Sequence, residues 1–383
     1  MDRDTIYFDY AAATPLDKRV FAAMQSYFKE KFFNPSSPYL PAKEVRDDLE
    51  QARAAIARHI GAKPGEIILT AGATESINMA FHGVLQKEDH VVSSQIEHPA
   101  VLETAKQYSY TLVQPDEKGI ITAHSVQDAI TPKTKLVSIV LADSELGNVQ
   151  QLKEIAQVIK TERGDRLAKN NQTPLYFHTD ASQGAGFLNI NVARLGVDLL
   201  TLNAAKIYGP KQAGLLWAAS NIALQPFIFG GGQERNLRSG TENVAAAVGF
   251  ATALEIAASK RKSEFERIET LRNLLQKKLE EAFSDIVISG HKKRRLPNFL
   301  HVAWSGVDAE RVLFLLEAEN VLVATGSACA ANSGTRSHIL EAIGMDAKTA
   351  DGSLRLTLGK ETTEDQILKG AEVIIAAVKK EQR

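Results

Sequence analysis

From Glu66 to Ala219 the chain alternates between short apolar runs and stretches of helical periodicity. The runs EIILT (66–70), HVVSSQI (90–96), TLVQP (111–115), KLVSIVLAD (135–143), LYFHTD (175–180), VDLLTLN (197–203) and GLLWAA (214–219) read as strands. ESINMAFHGVL, the stretch from Pro99 to Tyr108, SVQDAI and QLKEIAQVIKTE between them read as helices. Apolar β-rich runs alternating with helices predict a mostly parallel sheet covered on both faces. After residue 240 the texture changes. A helical stretch over about 241–283 has a charged middle, SKRKSEFERIETLRNLLQKKLEE, as expected of a helix that joins two domains. DIVISG, FLHVAWSG, AERVLFLLEAEN and SLRLTLGK then predict a small α+β unit. TERGDRLAKNNQTP (161–174) reads as an exposed loop, and HKKRRLP (291–297) as a solvated turn able to meet an acidic partner.

Composition narrows this picture little. The 383 residues are 44% hydrophobic and 24% charged, and a formal charge of −1 gives no bulk attraction to nucleic acid or to an anionic membrane. The opening MDRDTIYFDY lacks the apolar core of a secretory leader, and the expectation is a cytoplasmic protein. One cysteine excludes an intrachain disulfide and a Cys-rich metal site. That cysteine, Cys329, lies in VATGSACAANSGTRSHIL among small and polar neighbours, after an apolar run has ended. It is therefore expected in a loop free to swing, as a nucleophile or sulfur carrier requires.

Other residues extend the chemistry. Asp180 ends one apolar strand, where ligands of open α/β sheets bind. Taken alone it reads more readily as a helix cap. Lys206 follows the next strand, before the Gly209-Pro210 turn, where partial burial makes an amine a nucleophile or Schiff-base former. A carboxylate for a pyridinium nitrogen and a lysine for an aldehyde are the two groups that pyridoxal phosphate (PLP) requires. LTAGATESINMA adds a turn and a helix start with Thr74, suited to a phosphate, and GGGQERNLRSGTEN (230–243) adds a second Gly-rich segment with Thr241. His98 stands just past a strand end, where an imidazole can stack on a ring.

With YFDYAAATPLD, FNPSS, TAGATESIN, IEHPAV, HTDASQ, KIYGPK, GGGQERNLRSGTEN, GSAC and LRLTLGK, the chain resembles the cysteine desulfurases of the class V aminotransferases, in the group with a long cysteine loop. The resemblance implies an α/β fold of the PLP fold type I class, dimeric, with shared active sites. A large domain, 15–257, would carry a mostly parallel seven-stranded sheet. A smaller α+β domain, 1–14 with 258–383, would carry the cysteine loop. Lys206 would hold PLP. Asp180 would pair with the ring nitrogen, Gln183 with the ring hydroxyl, and His98 would stack on the ring and help move protons. Ala73, Thr74 and Asn203, with Thr241 from the other subunit, would hold the phosphate. Arg355, Ser144 and Asn34 would meet the substrate. L-Cysteine would become L-alanine while Cys329 takes its sulfur as a persulfide, to be passed to an iron–sulfur scaffold or thiolation protein.

Two departures from the family pattern stand out. Asn203-Ala204-Ala205 replaces the usual Ser-Gly-His before the lysine, and Asp143-Ser144-Glu145 replaces Asn-Asn-Glu. Selenocysteine lyase, aminotransferase and a PLP-fold binding protein without chemistry are the alternatives at this stage.

Overall fold

The computed structural model describes residues 5–325 and 336–382. Its strands, in chain order, are β1 (Ile6–Tyr7), β2 (Ile67–Thr70), β3 (His90–Ser94), β4 (Ser109–Val113), β5 (Thr134–Ser138), β6 (Tyr176–Asp180), β7 (Leu199–Asn203), β8 (Gly214–Ala218), β9 (Val287–Ser289), β10 (Phe299–Ala303), β11 (Val321–Leu322), β12 (Ala324–Thr325) and β13 (Ser353–Thr357). Among the described residues, seven of them form one sheet in the order β2-β8-β7-β6-β5-β3-β4. Every pair from β7 to β4 is parallel, while β8 runs antiparallel to both β2 and β7. Six strands therefore point one way, and their carboxyl ends share one edge.

The alternation of side chains along these strands splits the core in two. Val92, Val137, Leu200 and Leu215 face one layer of helices, including Leu40–Ile60 and the start of Val244–Ala282. Val91, Leu136, Leu199 and Leu216 face the other, built on Ala73–Val84 and Pro99–Ala105. Both faces are dry, so the strands read as continuous apolar runs.

A second, antiparallel sheet has the order β12-β13-β10-β9. Leu354, Leu356 and Leu358 pack with Leu300, Val302 and Trp304 into a separate core. This core takes in Ile6 and Phe8 from the beginning of the chain and Ile268, Leu271, Leu275 and Leu279 from the far half of Val244–Ala282. That helix has 39 residues, or roughly 58 Å, and serves both cores.

One sequence expectation is overturned. Residues 161–168 are not loop, because the helix Leu152–Ala168 continues through them. Arg166 explains the extension. Its buried guanidinium donates to the backbone oxygens of Thr131, Thr134 and Thr173, and its Nε pairs with Glu162 one turn back. A polar stretch is thus held as helix by an arginine turned inward. Among the described residues, no helix is long and apolar enough to cross a membrane.

Candidate active site

Asp180 and Asn203 end the adjacent parallel strands β6 and β7. Asp180 caps no helix. Its Oδ1 accepts from Ser182 N at 2.9 Å, turning the chain into a run of tight turns that brings Gln183 back to the edge. Beyond β7 a single 3-10 turn, Ala204–Lys206, presents the lysine. Asn203 Oδ1 caps that turn by accepting from Ala205 N at 3.1 Å, which leaves its amide NH2 as the donating end. The amino-terminal segment closes over the pair. Lys206 Nζ donates to Ala11 O at 2.7 Å and Ala12 O at 2.8 Å, and Gln183 Nε2 donates to Ala11 O at 3.1 Å.

His98 lies beyond β3 at the same edge and caps the helix Pro99–Ala105. Its Nδ1 accepts from Ala100 N at 3.1 Å, so a neutral ring carries its proton on Nε2. The side chain is exposed at the mouth, yet crowding by the surrounding chain lowers its pKa. Asp180 opposes that shift, and Lys206 and His338 reinforce it. Asp180, Lys206 and His338 thus lie within electrostatic reach of the ring.

Past β2, Gly72 takes φ +136° as the cap of the helix Ala73–Val84, a conformation other residues rarely adopt. The first amides of that helix, at Ala73 and Thr74, open toward solvent at the carboxyl edge. Glu75 reaches back to Ala71 N at 3.2 Å and pairs with Arg238 Nε at 2.8 Å, tying the turn to the Gly-rich segment. Thr241 and Asn34 are both exposed. Thr241 lines a pocket with Thr70, Gly214 and Arg238, while Pro35 and Ser36, next to Asn34, line one with Gln233 and Arg235. Asn34 Oδ1 accepts locally, from Ser36 N at 2.9 Å.

Arg355 points away from the leucine face of β13, as the alternation requires. It is buried, at 6% exposure. One terminal nitrogen donates to Ser144 O at 2.9 Å and the other to Asp9 Oδ1 at 2.7 Å. Beneath it lies His301, its register partner on β10, with Nε2 3.8 Å from Glu145 Oε1. Burial lowers the His301 pKa to about 3 and raises that of Glu145 to about 8, so both are neutral at pH 7. Among the described residues, Arg355 Nε, both His301 nitrogens and Glu145 Oε1 are buried without hydrogen bonds. Glu145 Oε2 accepts from the Ser337 hydroxyl, and His338 Nε2 donates to Glu97 O at 2.9 Å.

Cys329 and its expected free loop lie outside the described residues. The flanks are within them. Thr325 ends β12, which pairs Ala324 with Arg355, and Ser337 and His338 are bound to Glu145 and Glu97. The structure thus gathers His98, Asp180, Gln183, Asn203 and Lys206 at one edge, with Ala73 and Thr74 at the neighbouring β2 end and Arg355 and Ser144 bonded to each other. Thr241 and Asn34 stand on the exposed side. Sequence reasoning passed over Glu97, His301, Ser337 and the Ala11 and Ala12 carbonyls. Ser337, just before an apolar run, carried a readable helix-cap signal; backbone carbonyls carry none.

Residues 6–369 match the family described as Aminotransferase class-V. The cysteine desulfurase IscS of Dictyoglomus turgidum is 39% identical over 98% of this chain and 95% of its own. A solved NifS-like protein superposes with a TM-score of 0.89 at 30% identity, over 98% of this chain and 99% of its own. A structure described as SspA in complex with cysteine gives 0.78 at 34% identity, over 92% and 99%.

Proposed function

This chain belongs to the class-V aminotransferase family, and from that premise we propose that it is a PLP-dependent cysteine desulfurase. The observation that carries the reading is the tethering of both flanks of the Cys329 segment to the walls of the lysine site, through Ala324 beside Arg355 and through Ser337 on Glu145. An enzyme that only moves amino groups has no use for a cysteine in the segment between those flanks.

The donor set fits PLP. Lys206 offers an amine for the aldehyde, Asp180 a carboxylate for the ring nitrogen, Gln183 a partner for the ring hydroxyl and His98 a ring to stack. Ala73 N, Thr74 and the Asn203 amide take the phosphate, with Thr241 of the partner subunit. When bound, PLP supplies the electron sink that labilises the substrate's Cβ–S bond. Arg355, with Ser144 and Asn34, orients the substrate carboxylate, and His98 helps move protons. Overall, the Cβ–S bond of L-cysteine breaks, an S–S bond to Cys329 forms and Cβ gains a proton, leaving L-alanine and a Cys329 persulfide.

The same reading includes a cytoplasmic homodimer and an iron–sulfur scaffold or thiolation protein as acceptor. It divides the chain into a large domain, 15–257, and a small one, 1–14 with 258–383. The membership of Ile6 and Phe8 in the second core supports that division.

The test is incubation with L-cysteine. Alanine should appear, and Cys329 should gain the mass of one sulfur. The Cys329→Ala chain should keep PLP and bind cysteine but form no persulfide. Release of sulfide by that variant at the parent rate without added thiol would sink the reading.

A further inference from the structure

The turn HKKRRLP takes no part in the chemistry above, yet its backbone is stitched to the site. His291 N donates to Asn148 Oδ1 at 2.7 Å, Val149 N to Arg294 O at 2.9 Å and Leu296 N to Gly147 O at 2.9 Å. The loop it grips is the one that carries Ser144 and Glu145, pinned by backbone N–H groups of residues 145–148 that donate to both oxygens of Asp143. Lys292, Lys293 and Arg294 are exposed, and among the described residues none of them makes an ion pair.

Across a groove of about 910 Å3 from this turn stand Ile343 and Met345. They follow the helix His338–Ala342, whose five residues rise roughly 8 Å from Ser337, the partner of Glu145. Both walls are therefore continuous with the lysine site and with the carboxyl-side flank of the Cys329 segment. Val287, 40% exposed, and Ile288 add apolar lining. Lys118 adds a further cation, against Glu117 and Asp346.

We propose that this groove docks a short acidic segment, with an apolar side chain among its carboxylates, of the protein that takes sulfur from Cys329. The proposal rests on the desulfurase reading, because a persulfide needs an acceptor at this place. A peptide fits better than a nucleic acid. The lining is partly apolar, the chain as a whole carries −1, and Glu117 and Asp346 repel an evenly charged backbone while a peptide can space its carboxylates around them. Exposed charges of this kind steer association and make it salt-sensitive.

The probe is a fluorescein-labelled peptide of glutamate and aspartate around one leucine, titrated against the full chain by anisotropy at low and high salt. The parent should bind saturably, and salt should weaken it. Lys292→Glu with Lys293→Glu should weaken binding roughly tenfold or more. Val287→Asp should weaken it too, whereas Lys87→Glu, on an exposed turn elsewhere, should not. No saturable binding by the parent, or an equal loss with Lys87→Glu, overturns the proposal. So does tighter binding of a single-stranded oligonucleotide through the same two lysines. Sulfide release from L-cysteine with dithiothreitol, measured alongside, should match in parent and double variant. A parent that releases no sulfide removes the desulfurase reading and with it the acceptor. A parent that releases sulfide but ignores the peptide removes the groove alone.

Discussion

Glu97 is fully buried one residue before His98. Its Oε1 accepts from Ser94 Oγ at 2.7 Å and Val140 N at 2.8 Å, while among the described residues Oε2 has no partner. Burial raises its pKa to about 8, helped by the charges of Asp180 and Asp143 and opposed by the two bonds. A folded-state pKa above the unfolded one means that the native state holds the extra proton. The stability this contributes is fully present below the unfolded value and is lost as pH rises through about 8. Glu97→Gln keeps the shape and removes the titration. Its thermal midpoint relative to the parent should therefore improve between about pH 5.5 and about pH 8.5, by the equivalent of about 1–3 kcal/mol. A parent that gains on the variant as pH rises would contradict a protonated Glu97. Nothing in IEHPAV announces this carboxyl. Its state follows from walls supplied by Ser94 and Val140, and Val140 is distant in sequence.

At the scale of elements, the turn after β2 depends on two glycines. A Cβ on Gly214 would lie 2.5 Å from the Cα and carbonyl carbon of Gly72, and β8 cannot step aside because β2 and β7 hold it on both edges. Gly214→Ala should cost about 1–3 kcal/mol and, by shifting the first amides of Ala73–Val84, speed the loss of PLP on dialysis. Melting curves and cofactor absorbance read the two effects. Unchanged retention with a lowered midpoint would mean that the phosphate is held elsewhere.

The strand ends at Asp180 and Asn203 were legible because buried parallel strands are apolar until they reach the edge. The cap on Ala205 is hidden, because an asparagine at a strand end suits a phosphate as well as it suits a cap. The end of the helix Leu152–Ala168 is hidden because its last turns are polar in sequence while Arg166 is buried in space. Leu40–Ile60 turns Val45, Leu49, Ala52, Ile56 and Ile60 into the first core at helical spacing, with Arg53 the one charged residue among its buried positions, a signal that sequence reasoning passed over.

For the whole molecule, exposed aromatic residues offer a test of the proposed homodimer. Phe28, Phe32 and Phe229 are 66%, 67% and 81% exposed, on the segments next to Asn34 and the Gly-rich stretch. If Thr241 serves the partner subunit's site, Phe32→Glu should halve the mass seen by light scattering and remove most desulfurase activity, with the far-UV circular dichroism unchanged. A fully active monomer would assign all the chemistry to one chain. The two cores were readable as a change of texture near residue 240. The return of residues 6–8 to the second core was implied only by the family resemblance, which put 1–14 with 258–383, because a two-residue strand has too little pattern of its own to name its partner.

That return bears on the order in which a ribosome delivers the parts. The helices and strands around Lys206 emerge early and can pack as a unit. Ile6 and Tyr7 pair with Val321 and Leu322, and Tyr10 N donates to Thr357 O at 3.3 Å, so the first strand waits for almost the last one. The Ala11 and Ala12 carbonyls that close on Lys206 travel with it. In a nascent chain Thr14 can dock early on Ala205 and Tyr208 beside the lysine, while the strand ahead of it lacks its partners until translation has passed Thr357.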